Sequence, residues 1–179
     1  MKRWFWGAAT AVLIASPSLA DGDRLSRGFG GGLKFEATLS AEQETHRPDS
    51  QGIGHAIVWF DKELSKVFVD LRVYNLTGSF LASHFHCNRA GANGPIVLGL
   101  QSPGPLTFDG KGLRGVLTND DVATMADCVA TVGRPISNIA ALAFAMRDGL
   151  VYVNVHTDFS PPGEIRGQVL EDDGWDRRF

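Results

Sequence analysis

After its first twenty residues the chain has no long apolar run, only two cysteines and no excess of basic charge, and each shortage excludes something. Without a second apolar stretch there is no candidate membrane-spanning helix beyond the N-terminus. The 17 Lys and Arg against 20 Asp and Glu leave a net charge of −3, which becomes −5 once the two basic residues of the first twenty positions are set aside. An acidic balance argues against nucleic acid or anionic lipid as the partner. Catalytic signatures are missing as well. No G-x-S-x-G, H-E-x-x-H or C-x-x-C occurs, and no glycine-rich loop joins a strand to a helix as phosphate binding requires.

Residues 1–20, "MKRWFWGAATAVLIASPSLA", carry Lys2 and Arg3, an apolar core, and Ser18-Leu19-Ala20 before Asp21. That order reads as a secretory signal peptide and places the mature protein in the periplasm or the medium. Cleavage after Ala20 leaves 159 of the 179 residues, enough for one domain with a core of its own. Residues 21–32, "DGDRLSRGFGGG", are polar and glycine-rich and read as a flexible leader. The folded domain is expected over residues 33–170, followed by a charged tail over 171–179 in which Trp175 is a candidate exposed contact. Cys87 and Cys128 fall in the exported part, where an even cysteine count points to a disulfide. A bridge closing about 40 residues is worth roughly 4 kcal/mol on the chain-entropy account. The alternative is two buried thiols.

Between residues 33 and 102 five segments alternate apolar and polar residues or are rich in Val, Phe and Tyr between Gly, Asp and Asn: "LKFEATLS", "GHAIVWFD", "KVFVDLRVYNL", "SFLASHFHC" and "PIVLGLQS". Two more, "LVYVNVHT" and "GEIRGQVL", close the chain around a Pro-Pro-Gly turn. Trp59, Phe68 and Phe80 sit in these segments and read as core rather than as a binding face. One or two short helices interrupt the pattern, the first capped by Thr118 with Asp121 in its first turn, the second capped by Ser137 and ending at Gly149. The expectation is an all-β antiparallel fold, a Greek-key-like β sandwich or barrel with one or two short helices in a connection.

On a strand, residues i and i+2 share a face, so His84 and His86 project together while Phe85 points the other way. In "LVYVNVHT" the valines at 151, 153 and 155 fill one face, and His156 lies on the other with Tyr152 and Asn154. Three imidazoles suit copper, zinc or iron if the two strands meet. His55 is either a fourth ligand or a half-exposed strand residue, and His46, in "ETHRPDSQG", is expected to face water. Glu164 and Arg166 share a face and suit either an acid with an anion clamp or an ion pair across strands. "NDD" at 119–121 suits either calcium or a helix cap.

"AEQE" near the start, "NLTGSFLASHFHCNRAGANGPIVLGL", "GVLTNDDV" and "DGLVYVNVHTDFSPPGEIRGQV" together resemble the CHRD domain, the module named for its repeats in chordin, over roughly residues 33–170. In that family's pattern an alanine-histidine-x-histidine segment is usually followed by glycine and a Pro/Ala-rich loop, and a later strand ends in asparagine-x-histidine-threonine. His84, His86 and His156 fall on those positions. Cys87 stands where the family commonly has glycine, and Cys128 lies in the helical insertion, so their bridge would be a local brace for the site. "HFH" and "VNVH" are also similar to the copper-binding strands of copper-zinc superoxide dismutases. The chain has no counterpart of their zinc loop, and only Arg166 offers itself as a catalytic arginine.

Three functions follow as expectations. The first is an exported protein holding copper, or else iron or zinc, through His84, His86 and His156, with His55 as a candidate fourth ligand, while Asn154 or a backbone carbonyl orients a ring. The second is a non-enzymatic extracellular interaction module, with a protein partner or a second copy of the chain. The third is a superoxide dismutase-like redox enzyme at that metal.

Overall fold

The computed structural model describes residues 32–122 and 128–172. Residues 1–20, read as a signal peptide, residues 21–31, read as part of a leader, and Trp175 lie outside the described residues. Nine strands are present among those described: β1 (Lys34–Ser40), β2 (Ile53–Phe60), β3 (Lys66–Tyr74), β4 (Phe80–Cys87), β5 (Ile96–Gln101), β6 (Gly112–Thr118), β7 (Val151–Thr157), β8 (Ile165–Gln168) and β9 (Leu170–Glu171). They form one antiparallel sheet in the order β5-β4-β7-β8-β1-β2-β3-β6, with β9 added to β1, and the sheet is nearly closed into a barrel. The path from β3 to β4 runs from the seventh strand of this order to the second, and the path from β5 to β6 joins its two ends, so the connections are not a simple meander.

Alternation drives the closure. Phe35, Ala37 and Leu39 of β1, then Ala56, Val58 and Phe60 of β2, then Val67, Val69 and Leu71 of β3 point into one core with Phe85, Leu98, Leu100, Val153 and Ile165. Each large side chain so buried contributes about 1.5–3 kcal/mol. A slip of one residue in any strand would expose its whole inward set, so this core fixes the registers. Phe85 faces Val153 and pairs in register with it, and that pairing decides where the histidines on either side of Phe85 must go.

Among the described residues three short helices, rather than one or two, lie in the connection from β6 to β7: α1 (Asn119–Val122), α2 (Val129–Val132) and α3 (Ile139–Arg147). The "NDD" segment starts a helix, but Thr118 donates its N–H and its hydroxyl to Asp121 Oδ2, at 2.7 and 3.2 Å, so Asp121 is the acceptor at this end rather than Thr118. Helix α1 touches both β5 and β6 and thereby spans the gap between the two ends of the sheet. The cap of α3 is Asn138, whose side chain accepts the Ala141 N–H at 2.8 Å, and not Ser137. Ile139, Leu142, Ala143 and Met146 repeat at helical spacing and are buried, which sets the helix face and moves its start one residue on. Among the described residues no helix is long and apolar enough to cross a membrane. Phe68 is buried as expected, whereas Trp59 and Phe80 are half-buried, Phe80 stacking on Phe108 with centroids 4.2 Å apart.

Cys87 and Cys128 form a disulfide that ties the end of β4 to the start of α2.

Candidate metal centre

Strands β4 and β7 pair so that Ala82 lies opposite His156, His84 opposite Asn154, and His86 opposite Tyr152. Because Phe85 and Cys87 take the inner face, His84 and His86 stand on the outer wall of the barrel, and the parity of β7 puts Tyr152, Asn154 and His156 on that same wall. Neighbouring strands therefore bring together two segments some seventy residues apart in sequence. One ligand nitrogen from each of His84, His86 and His156 lies within 4.8 Å of the others. This outer patch is nevertheless covered: His84 is 5 % and His86 8 % exposed, beneath the loops that follow β4, β5 and β7.

Each ring is anchored by one backbone carbonyl. His84 Nε2–H donates to Ser102 O at 3.2 Å, His86 Nδ1–H to Gly94 O at 2.9 Å, and His156 Nδ1–H to Pro161 O at 2.8 Å. A neutral imidazole has one N–H and one lone pair, so these three bonds assign the tautomers and leave His84 Nδ1, His86 Nε2 and His156 Nε2 as bare lone pairs. Two of them, His84 Nδ1 and His156 Nε2, face each other at 3.0 Å. The third, His86 Nε2, is buried with no hydrogen-bond partner among the described residues. Facing lone pairs repel unless a cation lies between them.

A proton is a poor candidate for that cation. Burial holds all three rings below the usual histidine range, and it pushes His86 down to about 4, the Gly94 carbonyl opposing the shift only in part. All three rings are therefore neutral near pH 7, which is the form that binds metal. Nitrogens bound to one ion at about 2.0–2.1 Å stand roughly 3–4 Å from one another, close to the spread found here. The donor set fits a metal ion.

The supports come from residues whose role the sequence did not announce. Tyr152 stacks on His86, with centroids 4.9 Å apart and planes 7° from parallel, and its hydroxyl accepts the Gly94 N–H at 3.1 Å. Arg166, only 1 % exposed, lies 3.4 Å over the other side of the tyrosine ring. Its guanidinium donates to Ala92 O, Arg89 O and Asn93 Oδ1 at 2.7, 3.2 and 3.2 Å. The arginine thus holds the 88–95 loop, and that loop supplies the carbonyl that orients His86. Glu164 and Arg166 form neither an acid with an anion clamp nor an ion pair among the described residues. Arg166 clamps a loop, and Glu164 accepts from Ser50 Oγ, Thr157 Oγ1 and the N–H groups of Thr77 and Gly78. The "AEQE" stretch supplies Glu44, a carboxylate only 3 % exposed that lies against the Asn154 amide, and burial raises its pKa despite the charges of His46 and Arg166.

On the other side of the cluster, Ser102 adopts a φ of 56°, a left-handed conformation unusual for a side chain that is not glycine. Gly99, opposite His84 on β5, lets that turn fold back over the strand, since a Cβ there would sit 2.2 Å from Pro103 O.

His55 is not brought to the cluster. It lies on β2, two strands beyond β8, with Nε2 3.4 Å from Glu36 Oε2 and its side chain 44 % exposed. His46 is exposed, as expected, and its Nε2 meets Ser160 Oγ at 3.0 Å. No curated protein and no solved structure matches the chain. Residues 35–169 match the CHRD domain, a span that holds the three histidines and every residue supporting them, and the chain belongs to the CHRD family.

Proposed function

We propose that this is an exported copper-binding protein in which His84, His86 and His156 hold one ion. The observation that carries the reading is the convergence of three lone pairs whose rings are each tied, on the opposite nitrogen, to a backbone carbonyl. Copper leads zinc and iron because imidazole sites bind it most tightly among first-row divalent ions. A disulfide between Cys87 and Cys128, together with the composition of residues 1–20, supports an oxidising compartment outside the cytoplasm.

When bound, copper would supply one-electron chemistry or simply be stored. The protein's own part is clear in either case. Ser102, Gly94 and Pro161 fix the rings, Tyr152 and Arg166 hold the loop over His86, and burial keeps the nitrogens unprotonated so that the site is ready near neutral pH. A redox enzyme of the dismutase kind would use the same ligands, and turnover of superoxide by the copper-loaded protein would distinguish it from a store or carrier.

The direct test is the metal content of protein purified from the periplasm or medium without chelator or histidine tag. One copper per chain is expected, lost in both His84→Ala and His156→Ala. No metal, and none taken up when copper is added back, would overturn the reading.

A further inference from the structure

The outer wall carries a fourth group that the three-histidine account leaves unused. Asn154 lies directly opposite His84, and His156 stands two residues along the same strand on the same face. His86 is diagonal to Asn154 across the strand pair, within reach of its side chain. Asn154 is therefore at the middle of the cluster, and it is 3 % exposed. Its Oδ1 is buried and has no hydrogen-bond partner among the described residues, and the same is true of His86 Nε2. The amide lies close enough to the His86 ring to influence it electrostatically. Two buried acceptor atoms on neighbouring side chains, neither with a donor, are unfavourable unless both face a cation.

The other end of the amide explains its direction. A carboxylate attracts the NH2 and repels the carbonyl oxygen, and Glu44 is the carboxylate against which Asn154 packs. Gly163 makes room for that contact with a φ of 138°. A Cβ at this position would come within 2.3 Å of Glu44 Oε1 and 2.8 Å of Asn154 Nδ2. The anion behind the amide keeps the NH2 on its own side and leaves Oδ1 for the histidines.

We propose that Asn154 is the fourth ligand, giving a site of three imidazole nitrogens and one amide oxygen, with Glu44 as the positioning residue that selects the oxygen. The inference rests on the reading of His84, His86 and His156 as copper ligands, and it assigns that site a preference. An amide oxygen is a harder donor than imidazole, so it favours Cu(II) over Cu(I). A side chain that merely braced the rings would affect both oxidation states alike.

Competition titrations of the purified full chain with Cu(II), and with Cu(I) under anaerobic reducing conditions, separate the two roles. Asn154→Leu is expected to keep one copper per chain, to weaken Cu(II) by about tenfold or more, and to leave Cu(I) affinity nearly unchanged. Asn154→Asp keeps an oxygen donor and is expected to retain Cu(II). Equal loss of both oxidation states in the leucine variant, or no loss of either, would overturn the proposal. A second measurement needs no variant to fold. Electron–nuclear double resonance on the Cu(II)-loaded wild-type protein grown with asparagine labelled by carbon-13 at Cγ should show a resolved ligand coupling, and its absence would equally overturn the assignment. If the wild-type protein binds no copper at all, the metal reading itself fails, and the role of Asn154 with it.

Discussion

Glu164 illustrates how a single buried charge can organise several loops. Burial by itself would raise its pKa, but the bonds from Ser50, Thr157, Thr77 and Gly78 outweigh that penalty and hold it below the usual carboxylate range. A carboxyl group whose pKa is lower in the folded chain than in the unfolded one stabilises the fold above its unfolded value, near pH 4.5, and loses that contribution as pH falls through the folded value. Glu164→Gln is therefore expected to cost about 2 kcal/mol at pH 7, the scale of a hydrogen-bonded charge. The gap to the wild-type protein should close as the pH drops below about 4. Urea midpoints measured from pH 7 to pH 3 would show it, and a gap independent of pH would assign the loss to packing instead.

Among the elements, the end of β4 carries two constraints at neighbouring positions. His86 reaches outward to the loop carbonyl of Gly94, and Cys87 reaches inward to Cys128 at the start of α2. With a sequence separation of 41 between the cysteines, replacing both by alanine is expected to cost about 4 kcal/mol if the native state stores no strain. Urea unfolding measures that loss, and mass analysis of unreduced protein should find no free thiol. Seven of the strands were legible in the sequence because alternation over five or more residues leaves few other folds for it. Strand β6 was not, since "GLRGVLT" has two glycines and only a weak alternation, and it is pairing with β3 that makes it a strand. The shift of the α3 cap from Ser137 to Asn138 has a similar cause. Either side chain can cap, and the burial of Ile139 decides which one does.

For the molecule as a whole, the candidate site was half legible. Parity alone placed His84 with His86 and His156 with Asn154, but that β4 and β7 are neighbours is a property of the sheet order, which no local pattern encodes. The carbonyls that orient the rings carry no residue signature, and Arg166 could be recognised as a clamp only once the 88–95 loop lay beneath it. Ligand binding to the folded state alone should appear as global stability. Copper at one hundred times its dissociation constant adds about 2.7 kcal/mol. For a domain of this size that is a rise in melting temperature of about 6–10 °C. A strong chelator should reverse the rise, and His84→Ala should show none.

The histidines and the core occupy opposite sides of the same two strands, with His84 and His86 outside and Phe85 and Cys87 inside. Selection on metal chemistry and selection on folding consequently act on different side chains. An ion site on this outer wall could be gained, lost or altered through changes in the covering loops and the outward positions, while the inward pattern that makes the barrel fold stays as it is.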